Sequence, residues 1–259
     1  ISAGVRGTDE SRSAARTASP WLLVERRAGR VRLTGGMSRV AQVAPIEYIG
    51  LDQPVLGPER ASMADAGVQV DLGSAWLGRV NGFVRRDHDL LRLLSEDRLE
   101  GGVRVVASRF PFYRSSLTGR TRGVDLVVER RGMRGPTGWI GYTWAHTAQT
   151  DAASGESFDG DFDQRHTVNL FVQQRLSYRL QAQAKYRYGS NFPVTGYFAG
   201  TVPDGMVLAA TRNGLRLPAY SRLDLSLNRT FTTSRTRTTL FIEVVNALGR
   251  RNFGMADGS

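Results

Sequence analysis

Residues 222–228 have the sequence RLDLSLN, in which apolar and polar residues alternate as in a β-strand. Leu223, Leu225 and Leu227 alternate with polar residues, so in an extended chain the leucines project from one face and the polar side chains from the other. The same period of two recurs at 66–72, 124–129, 167–173 and 180–188. No helix of useful length is visible, so the sequence predicts an all-β protein whose strands have one apolar and one polar face.

The predicted strands follow one another along almost the whole chain. Residues 1–18 are small and polar and have no period, so they predict a loop or a disordered N-terminal end. Residues 19–259 predict part of one β-barrel domain. Ten strands are predicted, at roughly 19–26, 30–40, 64–72, 75–88, 118–131, 138–147, 163–175, 179–189, 219–231 and 237–247.

The connections between these strands alternate between short and long. Tight turns are predicted at 28–29, 73–74, 132–138, 176–178 and 232–236, whereas the connections 41–63, 89–117, 148–162 and 190–218 are long. Outer-membrane barrels have short periplasmic turns at one end and long extracellular loops at the other. Several predicted strands are about 12 to 14 residues long, which suits tilted strands that cross a bilayer. The sequence therefore predicts an antiparallel up-and-down transmembrane β-barrel.

The composition excludes some functions and leaves others open. The 259 residues carry a formal charge of +11, and all of the 35 Lys and Arg residues except Lys185 are Arg. A soluble basic β-barrel that binds nucleic acid is therefore one alternative. The arginines are dispersed at strand ends and turns rather than grouped in one block, which weakens that alternative. Cysteine is absent, which excludes disulfides, thiolate metal sites and cysteine nucleophiles.

Several segments occur in an ordered series along the chain: VRLTGGMSRVAQVAP (31–45), GRTRGVDLVVERR (119–131), GWIGYTWAHT (138–147), GESFDGDFDQRHTVN (155–169), YRYGSNFPVT (186–195), RLPAYSRLDLSLNRTF (216–231) and TLFIEVVNALGRRNF (239–253). As an ordered set, covering about 30–253, they resemble the C-terminal part of the β-barrel of TonB-dependent outer-membrane receptors. That family has a plugged barrel of the 22-stranded type.

The resemblance implies a transport protein of the bacterial outer membrane and not an enzyme. The expected function is ligand-gated, energy-coupled uptake of a siderophore, a cobalamin or a saccharide. Neither a plug domain nor a final aromatic strand is visible, so about ten meander strands of a larger barrel are expected, with open edges at 19–26 and 237–247. The expected partners are outer-membrane lipid, the TonB complex through a plug domain not present in this chain, and an extracellular small ligand. No nucleic acid and no cofactor are expected.

The polar faces of the strands supply the candidate site residues. In a barrel of this kind these side chains face the lumen, where they contact a plug or a passing substrate. The lumen-facing candidates are Asp125, Glu129, Gln181, Gln183, Lys185, Arg187, Asp224 and Glu243.

Two groups of polar residues suggest alternative functions, a calcium site and a protease site. The loop 151–163 carries five carboxylates, but Gln164 and Leu170 stand where an EF-hand loop beginning at Asp159 needs Gly and Glu, so only an irregular calcium site remains possible. A ten-stranded outer-membrane protease of the omptin type is the enzymatic alternative. Its His–Asp pair at the rim would have to be His88 with Asp87 or Asp89, or His166 with Asp163. No catalytic or metal-binding residue is predicted.

Overall fold

The computed structural model describes residues 1–10, 15–43, 56–73, 75–93, 98–100, 103–105, 113–132, 134–194, 197–199, 206–208 and 212–253. Within these ranges every regular element is a β-strand. None of the described residues belongs to a helix that could span a membrane.

Eleven long strands form one antiparallel meander, with neighbours in the order β1-β2-β3-β4-β5-β8-β9-β11-β12-β17-β18. The short strand β10 adds to β9, and the remaining strands form the hairpins β6-β7, β13-β16 and β14-β15 in the long connections. The predicted all-β antiparallel meander is confirmed. The bounds are β1 Ser2–Glu10, β2 Ala15–Ala28, β3 Val31–Gln42, β4 Glu59–Asp71, β5 Trp76–Leu93, β6 Arg98–Glu100, β7 Val103–Val105, β8 Tyr113–Arg130, β9 Thr137–Asp151, β10 Ser157–Asp159, β11 His166–Arg175, β12 Leu180–Gly189, β13 Pro193–Val194, β14 Tyr197–Ala199, β15 Met206–Leu208, β16 Leu215–Arg216, β17 Tyr220–Thr232 and β18 Arg237–Val244.

The N-terminal residues differ from the prediction of a loop over 1–18. Residues 2–10 form β1, which pairs with β2 from Ser2 opposite Leu23 to Glu10 opposite Ala15. Backbone hydrogen bonds need no alternation of side chains, so a strand without an apolar face can still pair along its whole length. The prediction that 19–26 is an open edge is therefore wrong, because β1 covers that edge of β2. The two edges of the described sheet are β1 and β18.

The short and long connections separate to the two ends of the sheet, as predicted, with one exception. The segments 29–30, 72–75, 131–136, 176–179 and 233–236 join strands at one end, called here the short-turn end. The long connections lie at the other, called the long-loop end. The exception joins β1 to β2, because only residues 11–14 separate these strands at the long-loop end.

The strand register keeps polar and apolar side chains on opposite faces across the whole sheet. Residues directly opposite each other in neighbouring strands project from the same face. Leu33 stands opposite Val68, Val68 opposite Val80, and Val80 opposite Leu126. This apolar face is open to the surroundings, with Val80 49% and Leu126 40% exposed. Such an extended exposed apolar surface requires lipid or another apolar partner.

The opposite, polar face is the concave side of the sheet. A cavity of about 590 Å³ spans β2 to β11 on this face, and Glu25, Gln69, Asn81 and Asn169 are among its lining residues. In β8 the polar-face positions are half-buried or buried while most apolar-face positions are exposed. Curvature explains the difference, because it crowds side chains on the inside and spreads those on the outside.

Gly123 of β8 is where the concave face tolerates no side chain. A Cβ atom there would overlap the ring of Phe83 and lie 2.6 Å from the carbonyl oxygen of Trp144. We expect Gly123→Ala to lower the stability by roughly 1–3 kcal/mol, the usual cost of overpacking. The matched control is Gly82→Ala in the neighbouring strand, where a Cβ atom would meet nothing within 4 Å. Thermal unfolding of the two purified variants measures the difference, and equal melting temperatures would contradict the packing described here.

Candidate functional site on the concave face and at its rim

The eight residues predicted from the sequence lie on one face of the sheet, the concave one. Asp125 stands opposite Thr143 of β9. The pairing of β9 with β11 and of β11 with β12 places Thr143, Asn169 and Arg187 on the same face. Lys185 stands opposite Asp224, and Ser226 stands opposite Glu243. The same registers place Glu129, Gln181 and Gln183 on this face.

These residues form local pairs rather than one focused site. The carboxylate of Asp125 accepts a hydrogen bond from Thr143 Oγ1 at 2.6 Å, and Gln181 donates to Gln173 Oε1 at 2.8 Å. Asp224 accepts from Arg222 Nε at 2.8 Å, although Lys185 is its direct cross-strand neighbour. Of the eight, Asp125 lines the large cavity, while the residues of β12, β17 and β18 lie farther along the sheet. The arrangement is a polar wall with acidic, amide and basic groups in alternation.

A denser charged cluster occurs at the long-loop end, which we call the rim network. Its centre is Asp163, whose side chain is fully buried and accepts hydrogen bonds from the backbone N–H of Thr147 at 2.7 Å, from Arg165 Nε at 3.1 Å and from Arg216 Nη2. Asp159 accepts from Arg165 Nη2 at 2.8 Å and from Arg216 Nη2 at 3.0 Å. Two arginines therefore share two carboxylates, which ties the segment 159–165 to β16.

A second part of the rim network joins β5, β8 and β9. Arg92 and Asp151 form a buried ion pair, and Arg114 Nη2 lies 3.3 Å from the same carboxylate. Glu156 lies 3.5 Å from Arg92 Nη2. Arg212 stacks over the buried ring of Phe158 at 4.7 Å and bonds to Asp161 at 3.3 Å. Every carboxylate of the predicted loop 151–163 therefore has an arginine or amide partner.

Sequence reasoning missed the basic half of this network. The acidic residues are adjacent in sequence and were visible as a cluster. Their partners Arg92, Arg212 and Arg216 come from distant segments, and only the fold brings them together. Two buried asparagines at positive φ, Asn191 and Asn213, complete the rim by donating to backbone carbonyls of Pro218 and Asp159.

The geometry at the rim fits ion pairs better than a metal site. His146, Asp159 and Asp163 offer ligand atoms within 4.8 Å of one another. The carboxylate oxygens are, however, already engaged by Arg165 and Arg216, which a cation would have to displace. Positive guanidinium groups in contact with the ligand oxygens oppose the binding of Ca²⁺.

The His–Asp pairs that a protease would need do not form. His166 Nδ1 lies 2.9 Å from the hydroxyl of Tyr142 instead of near Asp163. Asp89 is paired with Arg60 at 2.7 Å, and Asp87 is paired with Arg85 at 2.7 Å. Among the described residues, both carboxylates that could pair with His88 are therefore paired with arginines instead. The pair that does form, His146 with Asp159 at 3.1 Å, shares its carboxylate with two arginines.

The fold and its motifs agree with a known family of barrels. The family model "TonB dependent receptor-like, beta-barrel" matches residues 26–247. The chain belongs to this family. It is a family of receptors and transporters, and its members interact with TonB and with extracellular ligands. The predicted relationship to TonB-dependent receptors is thereby confirmed. A comparison with curated proteins finds no match to this chain.

Solved structures of the family show the same fold at low sequence identity. The outer membrane transporter YddB from Escherichia coli superposes with a TM-score of 0.68 at 13% identity, over 96% of this chain and 39% of that one. The siderophore receptor PirA from Acinetobacter baumannii gives 0.67 at 13% identity, over 95% and 39%. The copper transporter OprC gives 0.64 at 12% identity, over 91% and 35%. The chain thus spans well under half the length of these proteins.

Arg216 is the residue whose loss should loosen the rim most. In Arg216→Gln, Asp163 keeps Arg165 and the Thr147 amide but loses one cationic donor while remaining buried, which costs on the order of 1–3 kcal/mol. We expect backbone hydrogen exchange in residues 157–166 to accelerate by about tenfold or more, since 1.4 kcal/mol corresponds to tenfold. The control Arg235→Gln removes an exposed arginine at a short turn. Equal exchange in the two variants would rule out a structural role for the network.

The rim network should also respond to acid. Burial raises the pKa of Asp159, but the hydrogen bonds from His146 and Arg216 and the charges of Arg165 and Arg216 outweigh it, so its pKa lies below the usual value. A carboxylate whose pKa is lowered by folding stabilises the folded protein at pH values above its pKa in the unfolded chain, which is about 3.9. This stabilisation is lost as the pH falls through the pKa of the folded protein.

We therefore expect Asp159→Asn to melt at a lower temperature than the wild type at neutral pH. The difference should shrink as pH falls below about 4, because the carboxylate becomes protonated first in the unfolded chain and then, at lower pH, in the folded protein. Melting curves of both proteins between pH 7 and pH 2 measure this. A difference that does not change with pH would show that Asp159 contributes no charge-dependent stability.

Proposed function

We propose that this chain is part of the wall of an energy-coupled uptake receptor in the bacterial outer membrane. The observation that carries the proposal is the family match over residues 26–247 on a sheet with an exposed apolar face and a concave polar face. The apolar face contacts lipid, and the concave face borders the lumen. The ligand is of the siderophore, cobalamin or saccharide class, and import is driven by the TonB complex through a plug domain.

The eight polar-wall residues act in this proposal as the barrel side of the lumen. Asp125, Lys185, Arg187 and Asp224 project into the space that a plug occupies in barrels of this type. Acidic and basic groups on one surface suit a polar contact that must form and release repeatedly, because exposed ion pairs contribute only about 0–1 kcal/mol each.

The two alternative functions lose support. A protease of the omptin type needs a free His–Asp pair at the rim, and the candidate aspartates are held by arginines. A nucleic-acid binder needs a continuous basic surface. The concave face instead interleaves carboxylates with its arginines, as in Glu25 with Arg32 at 3.5 Å, and the outward face is predominantly apolar, with its arginines near the ends of the strands. The proposed protein is therefore a transporter.

The orientation across the membrane can be tested with single cysteines because the chain has none of its own. Ala153, which is exposed at the long-loop end, should be labelled in Ala153→Cys by a membrane-impermeant maleimide added to intact cells. Ser234, which is exposed at a short turn, should be labelled in Ser234→Cys only after the outer membrane is permeabilised. In a soluble protein both sites would be exposed to solvent. Labelling of both in intact cells would contradict the proposed orientation, and labelling of neither would contradict an outer-membrane location.

A further inference from the structure

A group of arginines lies on the outward, apolar face at the long-loop end. Arg86 of β5 stands directly opposite Arg120 of β8, and Arg122 is one outward-facing position along the same strand. Arg39 of β3 continues this row through Ser62 of β4. All four arginines are exposed. We call them the outer arginine row.

The outer arginine row has no anionic partner among the described residues. The outward carboxylates Asp89 and Asp159, at this end of the sheet, are already engaged, Asp89 by Arg60 and Asp159 by Arg165 and Arg216. Asp65 and Asp87 project from the concave face. Like charges directly opposite each other on neighbouring strands destabilise a sheet. Arg86 and Arg120 are in that position, and a bound anion would relieve the repulsion.

The surface beside the row is apolar. Val84, opposite Arg122, is 54% exposed, and Met37 on the same row is 64% exposed. A shallow cavity of about 580 Å³ opens between these side chains and the arginines, with His146 at its side. A ligand that fits this surface has a charged head and an apolar body in contact with each other.

The distance of the outer arginine row from Trp76 along β5 matches the thickness of the apolar band of an outer-membrane barrel. Trp76 and Arg86 lie at opposite ends of the outward-facing run of β5. Ten residues of strand tilted by roughly 40° rise about 25 Å, which is the height of the apolar band of outer-membrane barrels. Trp76 marks one interface, in the manner of aromatic girdles, and the outer arginine row marks the other.

We infer that the outer arginine row binds the phosphate groups of an anionic lipid in the outer leaflet. The acyl chains of that lipid lie along Val84, Val124 and Met37. Guanidinium groups bind phosphate through paired N–H donors, which explains why arginines stand here without carboxylates. The inference rests on the proposed membrane location, because a lipid meets this surface only if the apolar face is embedded.

The test uses the protein as its gene encodes it, purified from outer membranes and stripped of lipid in detergent. Affinity is measured for diphosphorylated lipid A, for the same lipid without phosphates, and for inorganic phosphate. We expect tight binding of the phosphorylated lipid only, and at least a tenfold loss of that affinity in the double variant Arg86→Gln with Arg120→Gln. The matched control, Arg6→Gln with Arg79→Gln, removes the same charge from the concave face and should bind as the wild type does.

The outcomes separate this inference from the proposed function. Equal affinity in the two double variants, or equal binding of the lipid without phosphates, would overturn the site. Displacement of the lipid by millimolar inorganic phosphate would show a simple anion site and overturn the lipid assignment. If the double variant fails to fold, Arg122→Gln replaces it, and unchanged affinity there would also overturn the site. None of these results changes the labelling pattern of Ala153→Cys and Ser234→Cys, on which the proposed function depends.

Discussion

The register of strand pairing determines which side chains lie on each face of the sheet, and both walls of the molecule follow from it. Eleven strands pair without a change of face, although β5 and β8 shift register between Asp87 and Leu91 near the rim. A slip of one residue in any pair would move every leucine and valine beyond it to the concave side. Because the register holds from β1 to β18, a polar wall and an apolar wall extend across the whole sheet. The backbone N–H and C=O groups of the paired strands can then lie in an apolar medium, because each strand forms hydrogen bonds with its neighbour.

The pairing of the charged residues differs between the concave face, the rim and the outward face of the sheet. On the concave face carboxylates and arginines alternate and pair weakly. At the rim they form a network of ion pairs. The side chains of Asp151 and Asp163 are fully buried there, and their charges are neutralised by Arg92 and Arg216, respectively. Removing one member of such a pair is costly because it leaves a buried charge without compensation. On the outward face, the outer arginine row has no anionic partner among the described residues, which is the reason for assigning it a lipid phosphate.

Much of the fold follows from the sequence because alternation is a local signal. The leucines of 223–227 fix the face of β17, and the glycine at position 29, with positive φ, marks a tight turn between β2 and β3. The faces of all eight polar-wall residues follow from the same alternation. The strand β1 could not be predicted because its residues alternate poorly, and it is held by backbone pairing with β2. The rim network could not be predicted either, since Asp159 and Arg216 are far apart in the sequence, as are Arg92 and Asp151, and only the fold brings each pair together.

Contact of lipid with the apolar face, and not with the polar face, is the proposal from which the others follow, and the four tryptophans provide its test. The register places Trp76 and Trp144 on the outward face and Trp21 and Trp139 on the concave face. Single-tryptophan variants of the membrane-reconstituted protein can be measured for quenching by brominated phospholipids. Strong quenching of Trp76 and Trp144, with little quenching of Trp21 and Trp139, is the predicted result. Equal quenching of all four, or stronger quenching of Trp139 than of Trp144, would contradict the assignment of the two faces.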